Sequence, residues 1–136
     1  MPRLFVDCDD TLVLWLNEDG QPLEGQNPYG GGSDKYELNQ ALIDAVVDFL
    51  DTNLDWELVV WSGGGSQYAK VWADRCFPFK TLYDEDARGV RGWLLSAHVR
   101  TKDIALPTAD DTCVDDQVLG VAGSCLTWQA FVEAHA

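Results

Sequence analysis

The segment FVDCDDTLVLW, residues 5–15, sets three aspartates into four positions, Asp7, Asp9 and Asp10, directly after an apolar run. Carboxylates this close repel one another, so a buried strand that ends in them calls for a positive partner. Two further apolar runs end in capable residues. ELVVW leads into Ser62 and the glycines Gly63, Gly64 and Gly65, and TCV leads into Asp115 and Asp116. Ligands of open α/β sheets bind beyond the carboxyl ends of the strands, so parallel neighbours with these sequences would gather the groups at one edge. Oxygen-only ligation by a few protein groups suits Mg²⁺ better than zinc.

These residue types also fit a reaction. One carboxylate can attack as a nucleophile and form an aspartyl-phosphate. A second, two positions on, can protonate the leaving oxygen and then activate water. A serine hydroxyl beside glycine amides at a helix N-terminus cradles phosphate oxygens, and a lysine would neutralise charge in the transition state.

The elements that must position these groups alternate between strand and helix. Residues 3–6 read as a short buried strand ending at Asp7. LVLWLNEDGQPL has an Asp19-Gly20 turn between apolar-bearing arms and reads as a hairpin. EGQNPYGGGSD is a loop by composition. A helix is expected from Asp34 as N-cap, with Glu37 completing a variant capping box and Leu38, Leu42, Val46, Phe49 and Leu50 forming its apolar stripe. WELVVWS supplies a second strand, residues 57–61, and a helix follows over 66–76. GWLLSAHV reads as a third strand and TCVDD as a fourth. LTWQAFVEAHA closes as a short helix capped by Thr127. Such alternation indicates a mainly parallel central sheet with helices on both faces.

Composition bounds the partners. With 136 residues, 46% of them apolar, and six tryptophans, the chain is expected to form one globular domain, residues 1–136. A formal charge of -14 with dispersed basic residues repels long nucleic acid and anionic membranes. No run is long enough to span a bilayer, and MPRLFVDCDD turns acidic too early for a secretory signal. Cys8, Cys76, Cys113 and Cys125 share no C-x-x-C spacing, so a zinc site is not expected and a reducing, cytoplasmic setting is.

At this point the chain resembles a known family. DCDDTL is similar to the D-x-D-x-T-L first motif of the haloacid dehalogenase superfamily, whose members are mostly Mg²⁺-dependent phosphohydrolases. LVVWS resembles its second motif and CVDD its fourth, in the right order and over residues 4–116. The resemblance implies a three-layer αβα Rossmann-like sandwich with a β-hairpin flap, here residues 12–23, after strand one. It implies that Asp7 is the nucleophile and Asp9 the general acid/base, with the Asp9 carbonyl also on the metal. Thr11 would support the loop, Ser62 and Gly63 would bind the phosphoryl group, and Asp115 would ligate Mg²⁺, with Asp116 acting through water. Asp10 stands where many members carry glycine. The motif lysine is assigned to Lys102 in VRTKDIALP, with Lys80 in FPFKTLY as the alternative.

Plainer readings exist for each group. Asp7 and Asp9 could form a solvated turn, the Ser62 segment a flexible loop, and Asp115-Asp116 an acidic surface turn. Recurrence at three strand ends favours a site. Trp15 could stack on a substrate from the flap or pack beneath it, and Trp61 belongs to the core. The rival class is a receiver-like signalling module, or a catalytically silent relative used for binding. A receiver would start a helix directly after its first acidic pair and end its third strand in Asp, and this sequence does neither. The intervals between motifs are too short for a full cap domain, so the site would be roofed by the flap, or by a second copy in a homo-oligomer. The expected partner is a phosphorylated small molecule, a nucleotide or a phosphopeptide.

Overall fold

The computed structural model describes residues 2–21, 35–53, 55–62, 66–77, 95–100, 109–115 and 124–135. Strand β1, Arg3–Asp7, carries four successive buried residues, Leu4 to Asp7, because both of its faces are covered. It lies at the centre of a five-stranded sheet with β4 (Glu57–Trp61) and β5 (Leu95–Arg100) on one side and β6 (Thr112–Val114) and β7 (Ser124–Leu126) on the other. All four pairings are parallel. Numbered within this sheet alone, the spatial order is 3-2-1-4-5, so the fold is α/β and Rossmann-like.

Alternation along the central strands sorts the core. Leu4, Val6, Leu58, Val60 and Val114 join a large cluster with Leu42, Val46 and Leu50 of helix α1 (Gln40–Thr52), Ala69, Trp72 and Ala73 of helix α2 (Ser66–Cys76), and Phe131 of helix α3 (Trp128–Ala134). Phe5, Val59, Trp61 and Cys113 form a second buried cluster on the opposite face. The Phe5 and Trp61 rings meet at 4.8 Å. Among the described residues, the helices pack on the first face. Trp61 is a core residue, as expected, and Cys8 and Cys113 are buried thiols.

The start of the sheet is pinned by one carboxylate. Asp111, buried just before β6, accepts from the Arg3 backbone N–H at 3.0 Å and from Arg3 Nη2 at 2.8 Å. This joins the first residue of β1 to the residue that precedes β6, at the edge opposite the candidate site.

Two expectations are corrected. Residues 35–38 are strand β3 (Lys35–Leu38), not the first turn of a helix capped by Asp34, and helix α1 begins at Gln40 with Asn39 as N-cap. The reason is tertiary. β3 pairs antiparallel with β2 (Val13–Leu16), which sets Tyr36 beside Trp15 with ring centroids 5.6 Å apart. The Asp19-Gly20 turn does form: Gly20 adopts φ +78°, and the Asn17 side chain accepts from Asp19 and Gln21. The partner of β2, however, is β3, and Gln21 is the last described residue after the turn. The second correction is the fifth strand, β7, where four were expected. Thr127 caps α3 as the sequence indicates, accepting from the Ala130 N–H. No helix among the described residues is long and apolar enough to cross a membrane.

Candidate functional site

The register of the sheet decides which groups meet. Asp7 pairs with Trp61 of β4, and Val6 pairs with Val114 of β6. Ser62 and Asp115 therefore each lie one residue past a strand that flanks β1, at the same carboxyl edge as Asp7. Neighbouring strands are spaced by about 4.8 Å, so the three backbones are close. Asp7 is 3% exposed, and Ser62 and Asp115 are each 1% exposed. The chain reaches β4 and β5 on one side of β1 and β6 and β7 on the other. The gap between β1 and β6 is thus the topological switch point, where sheets of this kind bind ligands.

The loop after β1 is tightly tied. Thr11 and Val13 donate their backbone N–H groups to the Cys8 carbonyl at 3.2 and 2.9 Å, and Asp10 donates to the Val13 carbonyl at 2.8 Å. Closing this turn puts Asp10 at φ 60°, the left-handed region that aspartate tolerates better than most residues and glycine best. Thr11 Oγ1 donates to Asp7 Oδ2 at 3.2 Å. Asn39 holds the loop from outside: its Nδ2 donates to the Thr11 carbonyl at 2.9 Å and its backbone N–H to the Leu12 carbonyl at 2.8 Å. The same side chain caps α1 by accepting from the Leu42 N–H. Cys8 Sγ donates to the Trp61 carbonyl at 3.6 Å, joining the loop to the end of β4.

Asp9 has its own fixtures. Its Oδ1 accepts from Trp15 Nε1 at 2.9 Å and from the Tyr68 hydroxyl at 2.5 Å. The second distance is that of a short charge-assisted bond. Burial first, then the bond to Asp9, push the Tyr68 phenol well above its ordinary range, with the Trp72 side chain pulling the other way. Tyr68 therefore keeps its proton and serves as a donor. Trp15 packs beneath the β2–β3 unit, 8% exposed, edge-on to Trp72 at 5.7 Å. Arg75 completes this frame, with its guanidinium 4.8 Å from the Trp72 ring and Nη1 donating to the Tyr36 hydroxyl at 3.2 Å.

Of the residues singled out from sequence, Asp7, Asp9, Thr11, Ser62 and Asp115 are brought to this edge. Gly63, Lys80, Lys102 and Asp116 lie outside the described residues. Among the described residues no three Asp, Glu, His or Cys side chains form a ready metal cluster. The donor set implied by the resemblance is of a different kind, with the Asp7 and Asp115 carboxylates and the Asp9 carbonyl. Two buried carboxylates at one edge are compatible with a hard divalent cation.

Three residues escaped the sequence reading. They are Tyr68 of α2 and Trp15, in their bonds to Asp9, and Asn39, which holds the loop and caps α1. Asn39 had a usable signal, a capping residue directly before the Leu42, Val46 and Leu50 stripe.

No protein-family model, curated protein or solved structure matches this chain.

Proposed function

We propose that this chain is a Mg²⁺-dependent phosphomonoesterase of the haloacid dehalogenase type that works through a phospho-aspartate. The observation that carries the reading is the burial of Asp7, Ser62 and Asp115 at the carboxyl ends of the three adjacent parallel strands β4, β1 and β6. An Asp7 oxygen attacks phosphorus, the ester P–O bond breaks, and the leaving oxygen takes the proton of the Asp9 carboxyl. The Asp9 carboxylate then takes a proton from water as the water oxygen attacks the phospho-aspartate. The Asp7–phosphorus bond breaks, inorganic phosphate leaves and both carboxyls are restored.

Thr11 restrains Asp7, and Ser62, with Gly63 and Lys102, binds the phosphoryl oxygens. Asp7, the Asp9 carbonyl and Asp115, with Asp116 through water, would hold Mg²⁺, which would supply charge neutralisation at the phosphoryl group. The β2–β3 unit serves as the flap over the site, and substrates are phosphorylated metabolites, nucleotides or phosphopeptides met in the cytoplasm. Against a receiver-like module stands the strand order. Receivers have the flavodoxin-like order 2-1-3-4-5, whereas this sheet runs 3-2-1-4-5.

The test is a panel of phosphorylated metabolites with and without Mg²⁺, run on the wild type and on Asp7→Asn. Mg²⁺-dependent release of phosphate that vanishes in a folded Asp7→Asn supports the reading. Full activity in that variant ends the covalent mechanism.

A further inference from the structure

Asp9 Oδ1 receives two neutral donors from two different elements, the indole N–H of Trp15 on β2 and the hydroxyl of Tyr68 on α2. A carboxyl with one anchor can still swing about its last torsion. Two donors converging on one oxygen fix the plane of the group and leave the other oxygen, Oδ2, as the one to carry and deliver a proton. The donors are themselves coupled. Tyr68 and Trp72 lie one turn apart on α2 with rings 6.3 Å apart, and Trp72 is edge-on to Trp15. Packing alone would not require this at position 68, because a phenylalanine there would fill nearly the same space without aiming an O–H at the atom that the Trp15 indole N–H already meets.

We propose that Tyr68 and Trp15 are positioning residues that set the direction of the Asp9 carboxyl, so that protonation of the leaving oxygen requires the β2–β3 unit and α2 together. This rests on the reading of Asp9 as the general acid/base. The flap thereby takes a part in the chemistry beyond covering the site: displacing β2 withdraws one of the two donors that aim the acid. Substrates whose leaving oxygen needs a proton depend on this arrangement, and those with a good leaving group depend on it little.

The experiment compares phenyl phosphate with p-nitrophenyl phosphate, which are similar in shape but differ in their need for leaving-group protonation. In Tyr68→Phe, kcat/KM for phenyl phosphate is expected to fall about ten-fold further than that for p-nitrophenyl phosphate. Trp15→Phe is expected to show the same selective loss. A purely structural role would slow both substrates alike, and equal losses overturn the proposal. A second readout needs no turnover. In ¹⁵N-labelled protein, Asp9→Ala is expected to shift the Trp15 indole N–H resonance and speed its exchange with solvent, and an unchanged resonance overturns the proposal. A wild type inert toward every phosphomonoester and forming no phosphoenzyme ends the acid/base reading and this proposal with it, whatever the indole shows. An active wild type with equal losses in Tyr68→Phe ends this proposal alone.

Discussion

Thr11 donates its hydroxyl to Asp7 Oδ2 across 3.2 Å, and neither side chain is more than 3% exposed. One oxygen of the candidate nucleophile is thus restrained by the loop that follows it. Thr11→Val keeps the shape and deletes the donor. It is expected to cost about 1 kcal/mol of stability, measured by urea unfolding, and to lower kcat more than it raises KM. Thr11→Ser should retain most of both. A Thr11→Val enzyme with unaltered kcat would mean that Asp7 needs no such restraint.

Asp115 gives a test of the metal that does not depend on knowing the substrate. A ligand that binds the folded state alone raises the melting temperature in proportion to the logarithm of its excess over Kd. Millimolar Mg²⁺ should raise the melting temperature of the wild type, and Asp115→Asn should abolish most of that rise. Equal shifts in the two proteins would place the ion elsewhere.

The left-handed backbone at Asp10 makes a prediction of opposite sign to most substitutions in a loop of this kind. Asp10→Gly relieves the conformation but frees the unfolded chain, so the net change should lie between zero and about 1 kcal/mol of stabilisation. Asp10→Val forces a branched side chain into the same region and should cost about 1–2 kcal/mol. Chemical denaturation of the three proteins checks the order.

The legible parts of this fold were those whose local pattern and tertiary role agree. β1, β4 and β6 are short continuous apolar runs because strands in the middle of a parallel sheet are covered on both faces, and each ends in residues that have no place in a core. β3 was not legible. Leu38 happens to fall in phase with Leu42 and Val46, and Asp34 and Glu37 have capping-box spacing, so the local signal favoured helix while pairing with β2 decided for strand. The three residues of β7 are too few to carry any period. For the site, carboxylates at strand ends could be read from their neighbours in sequence. The bond from Tyr68 to Asp9 could not, because it depends on where α2 lies over the loop.

Alkaline pH should expose two buried protons. Burial pushes the Cys76 thiol from 9.0 up to about 12, and Tyr68 is raised above its ordinary 10.0. Both groups hold their protons more tightly folded than unfolded. The Cys76 contribution is therefore full below pH 9 and is lost as the pH climbs from 9 toward 12, and that of Tyr68 is full below pH 10 and is lost above it. The urea midpoint should fall across that window. Cys76→Ala should flatten the beginning of the decline and Tyr68→Phe the part above pH 10. A midpoint that is level from pH 9 to 11 in the wild type would contradict this.

The central position of β1 has a consequence for how the chain is assembled. β1 is synthesised before either neighbour. It can pair with β4 only once residue 57 has been made, and with β6 only after residue 112. Until then one edge of an apolar strand has no partner, and the Arg3–Asp111 clamp spans a sequence separation of 108. Contacts of such long range slow folding and leave nascent chains prone to association. The tight ties of residues 8–13 to one another and to Asn39 are all local by comparison. On the ribosome, the loop that follows the candidate nucleophile can take shape early, whereas the switch-point crevice closes only when β6 docks.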